Sequence, residues 1–128
     1  MAEKKKTTRT KLRPVEGQVH QFAVLAEMTG LLQRVRGNKS KRTASRLLKT
    51  GPFRVNVVAL DEGGLLEDHA EDGPFTIQCL LGRILLSVGG REQRLTAGDL
   101  LVADAGIAHD IRADEASVLL VTVAVGEA

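Results

Sequence analysis

The sequence predicts an all-β protein, a sandwich or closed barrel, with one short helix or strand ahead of it. From residue 43 onward, short apolar runs alternate with Gly-rich turns at near-regular spacing, the pattern of strands joined by tight connections. No helical periodicity interrupts residues 43–128. A chain of 128 residues with a hydrophobic fraction of 43% is enough for one domain with its own core.

Residues 1–17 are polar and charged, contain Pro14 and end at Gly17, and read as a flexible basic arm ahead of a single domain spanning 18–128. Val19, Phe22, Val24, Leu25, Met28, Leu31 and Leu32 suit a short strand followed by a helical turn or two. Residues 33–42, QRVRGNKSKR, read as a basic loop around Gly37. Strands are then expected at Ala44–Leu48 and, after the Gly51-Pro52 turn, at Phe53–Leu60. A turn at Asp61–Gly64 follows, and the apolar run Phe75–Leu81 stops at Gly82. Ile84–Val88 and Arg91–Leu95 flank Gly89-Gly90, a two-residue hairpin connection suited to positive φ. Leu100–Ala103, His109–Arg112 and Ser117–Val125 complete the strands, divided by turns at Ala97–Asp99 and Asp104–Gly106.

The net charge of +2 hides an uneven distribution. Residues 1–54 hold 14 Lys/Arg against 3 Asp/Glu, whereas residues 55–128 hold 4 against 13. Such a split can mark a nucleic-acid partner, but no helix-turn-helix, finger or aromatic RNA-binding motif accompanies it, so nucleic acid is not expected. With no Trp, no Tyr and three Phe, the chain lacks the side chains of an aromatic cage or a base-stacking platform. One cysteine excludes an intrachain disulfide and a zinc finger. The basic start has no apolar h-region and no run approaches a membrane span, so a cytoplasmic protein without membrane contact is expected.

The histidines are His20, His69 and His109. In an extended segment His69 and Glu71, two residues apart, would share a face. A barrel can bring His109 into the same lumen, giving two imidazoles and a carboxylate, a set known for iron(II) and related divalent metals. Bland readings stand beside this one. A His near a turn is commonly a hydrogen-bonding surface group, and Glu71 lies in the acidic stretch Glu67, Asp68, Glu71, Asp72. Cys79, in an apolar strand, reads as an inert buried thiol. His20 is assigned to structure.

The second half of the chain resembles the cupin superfamily, the small double-stranded β-helix or jelly-roll barrels. That family's second motif is matched in spacing by Gly98, Asp104 in a Pro place, Gly106, His109, and Ala113 in an Asn place. Its first motif, His-x-His then Glu then Gly, falls on His69-Ala70-Glu71, Phe75 and Gly82. The flanking stretches GPFTIQCLLGRILLSVGG and LTAGDLLVADAGIAHDIRA are similar to small bacterial cupins. The resemblance covers residues 43–128, with 18–32 as the family's leading strand. It implies a jelly-roll barrel, a homodimer, and a divalent metal (Fe, Mn, Zn or Ni) on His69, Glu71 and His109, or no metal at all. The family's metal Glu is replaced by Phe75, which cannot ligate and would make the lumen apolar. Strand alternation puts Ile77 and Cys79 on the face of Phe75, and a pocket of Phe75, Ile77, Cys79 and Ile111 would suit a small organic ligand.

Three functions follow as expectations. A binding barrel would hold a small molecule or a metal without turnover, which the missing Glu and the lack of a nucleophile beside a base favour. A metal-dependent oxygenase- or isomerase-like enzyme would draw a general base from Glu67, Asp68 or Asp104. A regulator would touch nucleic-acid phosphates through its basic arm.

Overall fold

The computed structural model describes residues 19–70 and 72–125, with residues 68–70 described through their backbone alone. The basic arm, residues 1–17, and Glu71 lie outside the described residues. One helix, α1 (Val24–Val35), precedes nine strands: β1 (Arg42–Thr50), β2 (Phe53–Leu60), β3 (Leu65–Ala70), β4 (Phe75–Leu81), β5 (Arg83–Val88), β6 (Arg91–Thr96), β7 (Leu100–Ala103), β8 (Ala108–Ala113) and β9 (Ser117–Ala124). They form a five-stranded sheet in the order β1-β2-β9-β4-β7 and a four-stranded sheet in the order β3-β8-β5-β6. All pairings are antiparallel, and the two sheets face one another as a jelly-roll barrel.

Alternation divides each strand between two environments. In β4, Phe75, Ile77 and Cys79 are buried while Thr76, Gln78 and Leu80 are half-buried. The same rule in β8 buries His109, Ile111 and Ala113. The inward residues of both sheets, among them Leu60, Phe75, Ile77, Ile84, Leu86 and Leu119, make the barrel core. A second apolar layer lies outside the larger sheet, where α1 packs on Leu47, Val57, Ala59 and Val118.

The helix corrects the sequence reading at two points. Within the expected 18–32, the described residues 19–32 do not supply a leading strand; residues 24–35 are helical, and the basic loop begins only at Arg36. Met28, Leu31 and Val35 recur at helical spacing and are all buried, so the stripe runs through the stretch read as a loop. Gln33 and Arg34 are the exposed side of that last turn. The chain then reverses at Asn38, whose Oδ1 accepts the Ser40 N–H at 2.9 Å, an Asx turn leading into β1. The strand β3, LLEDHA, falls in the acidic stretch whose extended form was only conditional in the sequence.

Most strand limits agree with the sequence reading. Gly89 and Gly90 adopt φ of 54° and 82°, the values a two-residue primed turn requires, and join β5 to β6 without a register shift.

Candidate functional site

Each inner-facing position near the open end of the barrel can be followed from pairing. On β2 the inward set is Arg54, Asn56, Val58 and Leu60, since Val58 and Leu60 lie in the barrel core while Val57 and Ala59 lie under the helix. Residues directly opposite in an antiparallel pair share a face. Asn56 pairs with Val121 on one side and with Arg46 on the other, and Val58 pairs with Ala44. Arg42 pairs with Leu60. The inner face of β1, with Arg42, Ala44 and Arg46, is therefore largely polar, in contrast to the apolar inner faces of β4 and β9.

This difference leaves a cavity of about 420 Å³ between the sheets. Its apolar side is formed by Val58, Leu66, Ile77, Ile111 and Val121. Its polar side is formed by Ser40, Arg42, Asn56 and His109, with Thr43 and Ala44 also bordering it. A cavity with an apolar floor and a few polar groups along one side matches the general form of a small-molecule site.

His109 stands where β8 begins its inward alternation. Gly106, at φ 79°, makes the turn before it, and Ile107 follows with its carbonyl 3.3 Å from His109 Nδ1. A proton on Nδ1 would be held by that carbonyl, which presents Nε2 as the ring's acceptor. The ring is only 6% exposed and stacks on Phe75, with centroids 4.5 Å apart and planes at 29°. Phe75 thus occupies the inner surface behind His109.

Of the residues read from sequence as pocket walls, Ile77 and Ile111 line the cavity. Phe75 and Cys79 do not; they belong to the packed core behind it, at 2% and 0% exposure. Cys79 Sγ lies 3.4 Å from the Leu81 carbonyl and 3.6 Å from that of Gly82. Burial pushes its pKa up; the contact with Leu81 opposes this, and Asp99 and Glu115 add to it. It is a structural thiol, consistent with the bland reading.

Of the three proposed metal ligands, the backbone register places His69 directly opposite His109. Glu71 lies outside the described residues, as does the His69 side chain. Among the described residues no three His, Cys, Asp or Glu side chains form a metal-binding group. The family's fourth ligand position holds the Phe75 ring, so its full donor set does not fit this chain; a reduced set on the paired histidines is compatible with the register. Glu67 and Asp104, considered as bases, are exposed and absent from the cavity lining, and the Asp68 side chain lies outside the description. His20 stacks on Phe22 at 6.3 Å, away from the site, as its structural assignment expects.

Sequence reasoning missed Arg42, Thr43, Ala44 and Asn56. Asn56 was the available signal: a polar residue on the same face as Val58 and Leu60, in the stretch Val55–Leu60 of β2 that is apolar but for it.

The model of the cupin domain family matches residues 56–125, more than half of the chain. No curated protein matches the sequence. A conserved protein of unknown function from Streptococcus pyogenes is similar in structure, with a TM-score of 0.66 and 25% identity over 71% of this chain and 80% of that one. A cupin superfamily protein from Desulfitobacterium hafniense gives a TM-score of 0.65 at 14% identity, covering 66% and 78% of the two chains. A protein from Thermus thermophilus gives 0.62 at 27% identity, covering 73% and 92%.

Proposed function

Because the chain belongs to the cupin family, whose barrels enclose a lumen, we propose that it binds a small organic molecule in the cavity between β1 and β8. The observation that carries this reading is the two-sided lining: five aliphatic walls facing a polar side made by β1, Asn56 and His109. An apolar body on the aliphatic side gains from burial at roughly 25 cal/mol per Å². The polar groups on the other side then fix its orientation through hydrogen bonds. The test is a thermal-shift screen of small amphipathic molecules against wild type and Ala44→Trp. Ala44 is exposed on its strand and lines the rim, so the indole fills the entrance without disturbing the core. Compounds that raise the melting temperature of wild type but not of Ala44→Trp support the reading. Equal shifts in both proteins would move the binding elsewhere.

A second reading is favoured by one observation, the pairing of His69 with His109 across β3 and β8. In it His69, Glu71 and His109 hold a divalent metal, which would supply Lewis-acid chemistry to a small substrate. An oxygenase- or isomerase-like activity belongs to this reading. Metal content of protein purified without chelators, compared between wild type and His109→Ala, tests it: stoichiometric metal lost in the variant supports it, and metal-free wild type counts against it.

A further inference from the structure

We infer that the molecule held in the cavity carries an extended secondary amide, as a short peptide does, and that it pairs as an added strand with the free edge of β1 at Ala44. The inference rests on the cavity reading above and names the chemistry of the ligand bound there.

The ladder fixes which backbone groups of β1 point away from the sheet. β1 ends its sheet, with β2 on one side and no described strand on the other. The register sets Arg42 opposite Leu60, hence Lys41 opposite Asp61, and the Asp61 N–H donates to the Lys41 carbonyl at 2.9 Å. In an antiparallel ladder, opposed residues that exchange bonds alternate with opposed residues that exchange none. Thr43 and Ser45 therefore bond to Ala59 and Val57, while the N–H and C=O of Arg42 and Ala44 point to the free edge. The other side of β2 has the matching phase. The Val125 N–H donates to the Pro52 carbonyl at 2.7 Å, one pair beyond Phe53 and Ala124, so the even-numbered residues of β2 bond to β9 and leave the odd-numbered ones for β1. At Arg42 the free edge is capped within the chain, its carbonyl accepting from Asn38 Nδ2 and Ser40 Oγ at 3.1 Å each. The caps stop there, and among the described residues no backbone group bonds to the outward N–H and C=O of Ala44.

That edge borders the cavity. Arg42, Thr43 and Ala44 are consecutive and all line it, although side chains alternate between faces, so the strand presents its backbone edge there. A residue set opposite Ala44 on an added strand exchanges two bonds with it, N–H to C=O in each direction. Its side chain then shares the face of Ala44, which is also the face of Val58, and points into the lumen. There Val58, Ile77, Ile111 and Val121 supply aliphatic walls, and the small Ala44 side chain leaves the entrance open. Asn56, next along the inner face of β2, offers a carboxamide with donors and an acceptor for a neighbouring amide. The ligand class is therefore a short extended peptide with an aliphatic side chain.

The experiment uses the full chain and matched probes: N-acetyl-leucine N′-methylamide, the same compound methylated on the leucine nitrogen, and N-acetyl-glycine N′-methylamide. Backbone NMR titration gives the affinities, and hydrogen exchange follows the Ala44 N–H. The leucine probe should bind and slow exchange at Ala44. Methylation removes the donor aimed at the Ala44 carbonyl and should weaken binding about tenfold, the loss of one backbone bond with its acceptor left unpaired. The glycine probe, which has no side chain to bury, should be weaker by about tenfold or more. Ala44→Pro deletes an N–H that the ladder does not use, so the variant should fold and bind the leucine probe about tenfold less well. Equal binding of the leucine probe and its methylated form to wild type would overturn the inference, whatever the variant does; loss of both in Ala44→Trp would then keep the cavity. Slow exchange at Ala44 in the ligand-free chain would show that the edge is already covered, and would also overturn it. No binding by any of these probes would overturn the peptide, and the amphipathic screen above decides separately whether the cavity reading falls with it.

Discussion

Replacing Phe75 by Glu tests the link between the barrel core and the site. The ring is 2% exposed and stacks on His109. Removing a fully buried Phe side chain forfeits about 1.5–3 kcal/mol of burial. Placing an unpaired carboxyl in its apolar surroundings costs about 1–3 kcal/mol more, as a neutralised group. Metal-free Phe75→Glu should therefore lose about 2.5–6 kcal/mol, which at about 4 °C per kcal/mol for a domain of this size lowers the melting temperature by about 10–24 °C. Phe75→Leu keeps the burial largely apolar and should lose about 1–2 kcal/mol. The assay is urea unfolding followed by circular dichroism, because the chain has no Trp or Tyr to report by fluorescence. Repeating it with Zn²⁺ or Mn²⁺ adds the functional arm. If His69, Glu71 and His109 hold a metal, a carboxylate at position 75, against His109, restores the family's fourth ligand, and metal at a hundredfold excess over Kd should return about 2.7 kcal/mol. A Phe75→Glu protein within about 1 kcal/mol of wild type without metal would refute the packing argument, since a buried carboxyl cannot be so cheap. Metal response in Phe75→Glu but not in wild type would mean that the site was lost through this replacement, and the enzyme reading would fall. Response in neither protein would remove metal from the account.

Ser117→Ala should be costly for a different reason: the fully buried Oγ accepts the Arg83 N–H at 3.0 Å and lies 2.7 Å from the Glu115 carbonyl, so the variant orphans a buried donor and loses about 2–3 kcal/mol in urea unfolding. A loss under about 0.5 kcal/mol would show that water replaces the hydroxyl. The Cys79 thiol has its pKa raised in the folded state above the ordinary value of 9.0. Its neutral form stabilises the fold fully below that value, and the contribution is lost as pH climbs above it, so wild type should weaken relative to Cys79→Val as pH rises above 9. Parallel stability curves for the two proteins would contradict this. Deleting residues 1–17, which hold few apolar side chains, should leave the melting temperature essentially unchanged; unfolding or aggregation of the shortened chain would show that the arm is structural.

The strands Phe53–Leu60, Phe75–Leu81 and Leu100–Ala103 were legible to the residue, because Gly, Pro and Asp turns bound runs of β-branched and aliphatic residues. Where the signals conflicted, the reading was poorer. The helix α1 lacks a side-chain N-cap and ends in Arg34, Val35 and Arg36, so its charge hid the buried spacing of Met28, Leu31 and Val35. β3 carries Glu67 and Asp68 in an edge strand that pairs with β8, a composition that local propensity assigns to a loop. The same limit applied to the site. Alternation identified Ile77 and Ile111 as inward residues, but alternation cannot separate a wall that borders empty space from one packed against a ring, and Phe75 and Cys79 proved to be the latter. The polar wall was hidden because β1 joins it through pairing with β2, and register between strands is not written in the spacing of either one.

The cavity itself is tested most directly by methyl NMR on the full chain labelled at Ile, Leu and Val, titrated with a small amphipathic molecule that raises the melting temperature of wild type. The account predicts shifts concentrated at Val58, Leu66, Ile77, Ile111 and Val121, the methyl-bearing walls, saturating with a single affinity and absent in Ala44→Trp. Saturable shifts confined to α1 and the outer layer around Leu47 and Val57, with the five wall residues unmoved, would contradict it.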